Sequence, residues 1–139
     1  MFFKLYPKRK EEYNNILTDA SILLISTLLL ILVFPKDIAI LSMILFTFVD
    51  VGEQIFGITF PSERLPWNDE KNVAGTLAGF FVAVIVGALS IFFMGLGVPF
   101  DFLLPVSAVA AVAGTSKKHD NIVIEWSSAI LLVLLSILF

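Results

Sequence analysis

The chain has 139 residues and a net charge of −3; 58% of its residues are hydrophobic and only 15% are charged. A mean hydropathy of +0.97 excludes an ordinary soluble domain, since soluble chains carry roughly a quarter charged residues, and it predicts a surface that faces lipid. The absence of cysteine excludes disulfides and thiolate metal sites.

Five apolar runs follow one another along the chain, separated by short polar segments or turns. The runs comprise residues 16–34, 38–60, 73–96, 102–114 and 122–139. A transmembrane helix needs about 20 mainly apolar residues, so the fourth run, which also contains Pro105, fits either a tilted span or a re-entrant segment. We expect a single all-α membrane domain over residues 1–139, a polytopic bundle of about five transmembrane helices.

The basic residues assign the two sides of the membrane. With five crossings and a cytoplasmic N-terminus, eight of the nine Lys and Arg residues lie in the cytoplasm, as the positive-inside rule favours. We therefore expect a multi-pass protein of the cell membrane with its C-terminus outside, or inside if the fourth run does not cross. The first 15 residues, which are rich in basic and aromatic side chains, either lie on the anionic membrane surface or serve only as a topology anchor.

Two acidic residues interrupt the second predicted span. Asp50 and Glu53 have the spacing that places both carboxylates on one face of a helix, with Gln54 beside them. Ionisable side chains inside a span are costly and usually face a cavity or a partner. Carboxylates are ligands that Mg²⁺ prefers, often together with substrate phosphates, so this pair is a candidate metal site. The alternative is a pair of carboxyl groups bonded to other helices.

A second polar group lies where the third predicted span begins. Asn72 is suited to cap this helix, Lys71 adds a positive charge, and Gly75 allows a ligand to approach the backbone. Because unpaired N–H groups and the helix dipole attract anions, this helix start is a candidate phosphate site. The alternative is helix capping together with close helix packing through Gly75 and Gly79.

A third polar group opens the last predicted span. Asn121 and Glu125 share one helix face, directly after His119 and Asp120. These residues fit either a functional site or a helix cap followed by an acid whose side chain reaches back to the interface, and we expect His119 to be solvated. All three polar groups fall on the cytoplasmic side of the predicted topology. This favours a site open to cytoplasmic polyanions and to the lipid leaflet.

At these residues the sequence resembles the polyprenol kinase family, which includes dolichol, phytol and farnesol kinases and CTP-dependent diacylglycerol kinases. The segment DVGEQIFG at residues 50–57 is similar to the family's first motif, an Asp followed by a short FG-type end. The segment KNVAGTLAG at residues 71–79 is similar to the Lys-containing loop and Gly/Ala-rich helix that follow. Asp120 and Asn121 match an Asp-Asn pair that opens the final helix.

The similarity extends over about residues 47–133, with the motifs in the family's order. The chain departs from the family's pattern in several places. Asn72 replaces Ser or Thr, and the Arg-Lys…His element expected near the N-terminus is not clear. Ala74 stands where the family has Glu, and residues 112–115 lack an expected acid; Glu53 is a candidate to supply a lost carboxylate.

The resemblance implies a kinase that uses CTP to convert a membrane lipid alcohol, such as dolichol, another polyprenol or diacylglycerol, into a lipid phosphate and CDP. It implies catalytic roles for Asp50 and Asp120, with Mg²⁺ bound by Asp50 and Glu53. The residues assigned to nucleotide and phosphate binding are Lys71, Asn72, Gly75, Thr76 and Asn121. The expected partners are a membrane lipid and a nucleotide, with no nucleic acid, and the small bundle suggests a homodimer.

Three other functions fit the same residues. A cytidylyltransferase would make a CDP-lipid from CTP and a lipid phosphate, and it would release pyrophosphate rather than CDP. A non-catalytic membrane protein would bind a lipid or a protein partner. A small ion-coupled transporter would use Asp50 and Glu53 to carry protons or cations.

Overall fold

The computed structural model describes the backbone of residues 9–139 and the side chains from Thr18 onward. Its five α-helices are α1 (Arg9–Val33), α2 (Lys36–Thr59), α3 (Val73–Met94), α4 (Leu103–Ala113) and α5 (Asp120–Leu138). A 3₁₀ turn, Phe100–Phe102, precedes α4. Between α2 and α3 lies an antiparallel hairpin of β1 (Arg64–Leu65) and β2 (Asn68–Asn72), which the sequence did not predict. The prediction of a helical bundle is confirmed.

Three of the helices, α2, α3 and α5, are long and apolar enough to cross a membrane. They coincide closely with the second, third and fifth predicted runs. Two shorter apolar helical stretches, Thr18–Val33 and Phe100–Ala113, correspond to the first and fourth runs. The structure is therefore compatible with a helical membrane protein, while the count of five spans stays a prediction. The expected surface role of residues 1–15 concerns side chains outside the described part of the chain.

The two faces of α3 differ in the size of their side chains, and this difference determines which face packs against the other helices. Its small residues form the buried face, and its large residues form the exposed face, which is the reverse of a helix in a soluble protein. The buried face contains Gly75, Gly79, Ala83 and Gly87. The exposed face contains Leu77, Phe81, Ile85, Leu89 and Phe92. This arrangement lets α2 approach α3 closely and leaves the bulky side chains on the outer surface of the bundle.

Hydrogen bonds place the connecting loops at two ends of the bundle. The Gly97 N–H donates to Oδ2 of Asp37 over 2.9 Å, which joins the α3–α4 loop to the start of α2. At the other end, Trp67 Nε1 donates to Oγ1 of Thr115 over 2.9 Å, which joins the hairpin to the α4–α5 loop. The segment between Gly97 and Thr115 therefore connects the two ends, although the 11 residues of α4 contribute only about 16 Å of helix. We call the second end the hairpin end.

Helix α1 lies at the edge of the bundle and meets α5 through polar contacts. Thr27 Oγ1 donates to Oε1 of Glu125 over 3.0 Å, and Trp126 Nε1 donates to Oγ of Ser26 over 2.7 Å. The main cluster of buried apolar residues has members from all five helices, and it includes Val49 of α2, which is fully buried.

Candidate functional site

Three carboxylates surround the ammonium group of Lys71 at the hairpin end. Lys71 Nζ lies 3.1 Å from Oε2 of Glu53, 3.4 Å from Oδ2 of Asp120 and 3.6 Å from Oδ1 of Asp50. Lys71 belongs to β2, Asp50 and Glu53 belong to α2, and Asp120 is the first residue of α5. The structure thus brings together residues from all three polar groups found in the sequence, and we call them the Lys71 cluster.

The hairpin positions Lys71 because both of its sides are fastened to the bundle. Asn68 Nδ2 donates to the carbonyl oxygen of Thr115 over 3.0 Å, next to the bond from Trp67. Asn72 Nδ2 donates to the carbonyl oxygen of Gly57, in the last turns of α2, over 2.7 Å. Lys71 lies between these two attachments, so its side chain is held above the carboxylates of α2.

Asp120 reaches the cluster because the chain turns sharply before α5. His119 adopts the left-handed conformation, with φ of 53°, and α5 begins at the next residue. Asp120 Oδ1 accepts a hydrogen bond from the Asn121 N–H over 3.0 Å, which leaves Oδ2 for Lys71. The side chain of His119 is exposed, in agreement with the expectation that it is solvated.

The electrostatics of the cluster favour a protonated Lys71. Burial disfavours its charged form, but the attraction of Glu53 and of the two Asp carboxylates outweighs burial and raises the pKa of Lys71 above its ordinary value of 10.5. Three carboxylates facing one ammonium group give a formal charge of −2. The cluster therefore has capacity for additional positive charge.

Glu53 is the most deeply buried member of the cluster, with 1% of its side chain exposed. Two glycines make room for it: a Cβ on Gly114 would lie 2.6 Å from its Oε1, and a Cβ on Gly79 would lie 2.7 Å from its Cγ. Within the described part of the chain, Oε1 has no hydrogen-bond donor. The Glu53 carboxylate thus packs directly against the end of α4, in the stretch where the family resemblance led us to expect an acid.

A cavity of about 540 Å³ opens beside the cluster, between the hairpin, the end of α2 and the start of α3. Six of the predicted site residues line it: Glu53, Lys71, Asn72, Gly75, Thr76 and Asp120. Asp50 and Asn121 lie outside this lining. Arg64 also lines the cavity and donates a hydrogen bond to the carbonyl oxygen of Asp69. Sequence reasoning assigned Arg64 only to topology, because its place opposite Asn72 depends on the hairpin register.

The start of α3 differs from the predicted phosphate site, because protein groups occupy its first N–H donors. The Val73 N–H donates to the carbonyl oxygen of Glu63 over 3.0 Å, and the Ala74 N–H donates to Oγ of Ser62 over 2.9 Å. The Gly75 N–H donates to Oδ1 of Asn72 over 2.8 Å. The prediction that Asn72 caps the helix is confirmed, and the prediction that these N–H groups are unpaired is wrong.

The reason for a glycine at position 75 is also corrected. A Cβ on Gly75 would lie 2.6 Å from the carbonyl oxygen of Glu53 and 3.2 Å from Cα of Gly57. The space beside Gly75 is therefore filled by the backbone of α2 rather than left open for a ligand. Close packing of the two helices, the alternative that the sequence left open, explains this residue.

The two polar residues of α5 face different neighbours. Asn121 lines a second cavity, of about 340 Å³, on the α1 side of Asp120. Glu125 is fully buried and accepts a hydrogen bond from Thr27, which argues against the alternative in which its side chain reaches back to the membrane interface. Although Asn121 and Glu125 are one turn apart, they do not form one site.

The donor chemistry of the cluster fits a divalent cation. Asp50 and Glu53 offer carboxylate oxygens, the hard ligands that Mg²⁺ prefers. Asp50 Oδ1 and Glu53 Oε1 are buried and receive no hydrogen bond from the described residues, while Gln54 Nε2 donates to Oδ2 of Asp50 over 2.7 Å. Among the residues with described side chains, no three His, Cys, Asp or Glu form a ready-made metal site.

Comparison of the chain with protein-family models, curated proteins and solved structures found no match. The resemblance to the polyprenol kinase family consequently rests on the motif residues alone.

Proposed function

We propose that the protein is a CTP-dependent kinase of membrane lipid alcohols. The proposal rests on one observation. Asp50, Lys71 and Asp120 come from three separate motifs, and both Asp carboxylates lie within 4 Å of the ammonium nitrogen of Lys71. Phosphoryl transfer needs mainly positioning and charge neutralisation, and it makes few demands for covalent chemistry on the protein. A polar cavity beside a carboxylate cluster at one end of a membrane bundle suits those requirements.

In this proposal the cations of the cavity bind the phosphates of the nucleotide. Arg64 and Lys71 both line it, and its volume of about 540 Å³ falls in the range of small-molecule sites. Four acids line it as well (Glu53, Asp69, Glu70 and Asp120), so a bound phosphate would also need Mg²⁺ to offset their charge. Asp50 and Glu53 hold Mg²⁺, which when bound neutralises phosphate charge. Glu53, packed against Gly114, supplies the carboxylate that the family pattern expects from residues 112–115.

The proposed reaction balances as a direct transfer. The hydroxyl oxygen of the lipid forms a bond to the γ-phosphorus of CTP, and the bond between that phosphorus and the β–γ bridging oxygen breaks. CDP leaves with the electron pair, and the hydroxyl proton passes to a carboxylate of the protein. Asp50 and Asp120 are the candidates for this proton acceptor.

Five spans with a cytoplasmic N-terminus complete the proposal. The connection of the two bundle ends by the segment from Gly97 to Thr115 supports a fourth crossing. The chain contains no cysteine, so single cysteines at Ser62 and Ser116 can be labelled without background. We expect an impermeant thiol reagent to reach neither residue from outside the cell. External labelling of either would contradict the orientation.

Binding or transport of cations is a second candidate, favoured by the formal charge of −2 on the Lys71 cluster and by the occupied N–H groups of α3. It predicts ion flux through liposomes and no affinity for nucleotides. The kinase proposal predicts the opposite result for both measurements.

The deciding experiment incubates the purified protein with Mg²⁺, γ-labelled CTP and a panel of lipid alcohols, and it resolves the products by chromatography. We expect labelled lipid phosphate and unlabelled CDP. Asp50→Asn should abolish the product, while Asp101→Asn, at an exposed acid of the 3₁₀ turn, should retain it. In a parallel assay with lipid phosphates in place of the alcohols, formation of a CDP-lipid with release of labelled pyrophosphate would identify a cytidylyltransferase. A lack of any product would contradict the proposal.

A further inference from the structure

The second cavity lies between α1 and the start of α5. It is on the opposite side of Asp120 from the larger cavity beside the Lys71 cluster, which we call the nucleotide cavity. The volume of the second cavity is about 340 Å³. Among the described residues that line these two cavities, Asp120 is the one they share. A carboxylate in this position faces both a ligand in the larger cavity and a ligand in the smaller one.

The lining of the second cavity is divided into an apolar and a polar part. Ala20, Leu23 and Ile122 form the apolar part. The residues next to them in sequence, Ile22 and Val123, are each 38% exposed, so α1 and α5 both present apolar surface next to the cavity. This surface suits the hydrocarbon chain of a lipid whose polar end lies in the cavity.

The polar part of the cavity selects the kind of headgroup. Asp19, His119, Asp120 and Asn121 line it, and among the described residues no donor reaches the buried Oδ1 of Asn121. The two carboxylates outnumber the single imidazole and disfavour a phosphate or carboxylate headgroup, whereas a neutral hydroxyl can donate to Asp19, Asp120 or Asn121. This part of the cavity thus suits a lipid alcohol better than a lipid phosphate.

We propose that the second cavity binds the hydroxyl end of a long-chain lipid alcohol, and that Asp120 accepts the hydroxyl proton when the oxygen attacks the γ-phosphorus of CTP. The assignment rests on the proposed kinase function. It selects Asp120 over Asp50 as the proton acceptor, because Asp120 alone borders both substrates. Oδ2 of Asp120 lies 3.4 Å from Lys71 Nζ, so the ammonium group holds the carboxylate toward the nucleotide cavity.

The location is tested by photo-crosslinking the full-length protein, in phosphatidylcholine vesicles, with an isoprenoid alcohol that carries a diazirine near its hydroxyl group. Mass spectrometry of the labelled peptides should place the label on α1 and α5 near Leu23 and Ile122. Unlabelled isoprenoid alcohol should compete, and excess isoprenoid phosphate should not. Labelling elsewhere, or equal competition by the phosphate, would overturn the assignment.

A matched pair of variants on α1 connects the location to activity. Leu23→Trp fills the cavity, and it should weaken crosslinking and raise KM for the alcohol about tenfold while KM for CTP stays the same. Leu24→Trp adds the same ring at a residue that is 72% exposed, and it should change neither quantity. Equal effects of the two variants would contradict the cavity as the binding site.

Asp120→Asn tests the proton step separately. It should lower the rate of transfer by about 100-fold or more, as expected for loss of a general base, with crosslinking unchanged. Unchanged transfer would remove Asp120 as the acceptor.

If the wild-type protein is labelled in the cavity but forms no lipid phosphate, the alcohol site stands and the kinase function fails. If lipid phosphate forms while the label lies elsewhere, the kinase function stands and the cavity assignment fails.

Discussion

The ammonium nitrogen of Lys71 lies 3.1 Å from Oε2 of Glu53, across 18 residues of sequence. The two side chains are 15% and 1% exposed, so the ion pair is largely removed from water. The pair joins the hairpin to α2, and it combines with the contacts of Thr115 to fix the hairpin over the end of the bundle.

Removal of the cation should destabilise the protein strongly. Lys71→Met leaves buried carboxylates without their countercharge, and it should lower the free energy of unfolding by about 3 kcal/mol. The measurement is unfolding in detergent micelles, with Lys118→Met, at an exposed loop residue, as the control. The double variant Lys71→Met/Glu53→Gln should recover part of the loss. A similar loss in Lys118→Met would show that the effect is not specific to the buried pair.

The pH dependence of stability should reflect the raised pKa of Lys71. A group whose pKa is higher in the folded state stabilises the fold fully below its unfolded pKa, and this contribution is lost as the pH rises through the folded pKa. The difference in unfolding free energy between wild type and Lys71→Met should therefore be constant over the alkaline range up to a pH near 10.5 and should shrink above it. A difference that already shrinks within that alkaline range would contradict the cluster as described.

A side chain at Gly114, which packs against Glu53, should lower the stability of the protein. Gly114→Ala would place Cβ 2.6 Å from Oε1 of Glu53 and force the carboxylate away from Lys71. We expect a loss of about 1–3 kcal/mol in unfolding free energy, as for other overpacked sites. Glu53→Asp shortens the acid, so the double variant Gly114→Ala/Glu53→Asp should lose less than the sum of the two single changes. Simple additivity would mean that the two residues are not in contact.

The stability of the protein should depend on the hydrogen bond that Thr27 of α1 donates to the buried Glu125 of α5. Thr27→Val removes the hydroxyl that donates to Glu125 and should cost about 1 kcal/mol, a typical value for a hydrogen bond between membrane helices. Thr27→Ser retains the hydroxyl and should be close to wild type. Thr47→Val is the matched control, because Thr47 is exposed and donates to the Met43 carbonyl oxygen of its own helix. An equal cost at Thr47 would exclude the interhelical bond as the cause.

The sequence predicted the long helices because their apolar runs are nearly uninterrupted, and hydropathy alone determines which segments suit lipid. The hairpin escaped prediction because β2, Asn-Asp-Glu-Lys-Asn, has no apolar residue and no alternation. Its strand conformation depends on partners distant in sequence, chiefly Thr115, which bonds to Trp67 and Asn68. Local residue preferences contain no information about such contacts.

In the candidate site, too, the sequence predicted local features but not those that depend on contacts distant in sequence. The spacing of Asp50 and Glu53 correctly placed two acids on one helix face, and the loop order placed Asp120 at the same end of the bundle. The occupied N–H groups of α3 could not be foreseen, because their acceptors at Ser62 and Glu63 are brought close only by the hairpin. Nor does helical spacing show that Glu125 turns toward Thr27, since that depends on which helix lies beside α5.

Synthesis from the N-terminus imposes an order on the Lys71 cluster. The acids of α2 emerge first, and their cation follows 18 residues after Glu53. Because an unpaired carboxylate within a span is costly, insertion of α2 together with the hairpin would deliver the acid with its countercharge already attached. Asp120 arrives only with the last helix, so a nascent chain that ends before α5 leaves the ammonium group with the carboxylates of α2 alone. Completion of the cluster is therefore a late event of membrane insertion.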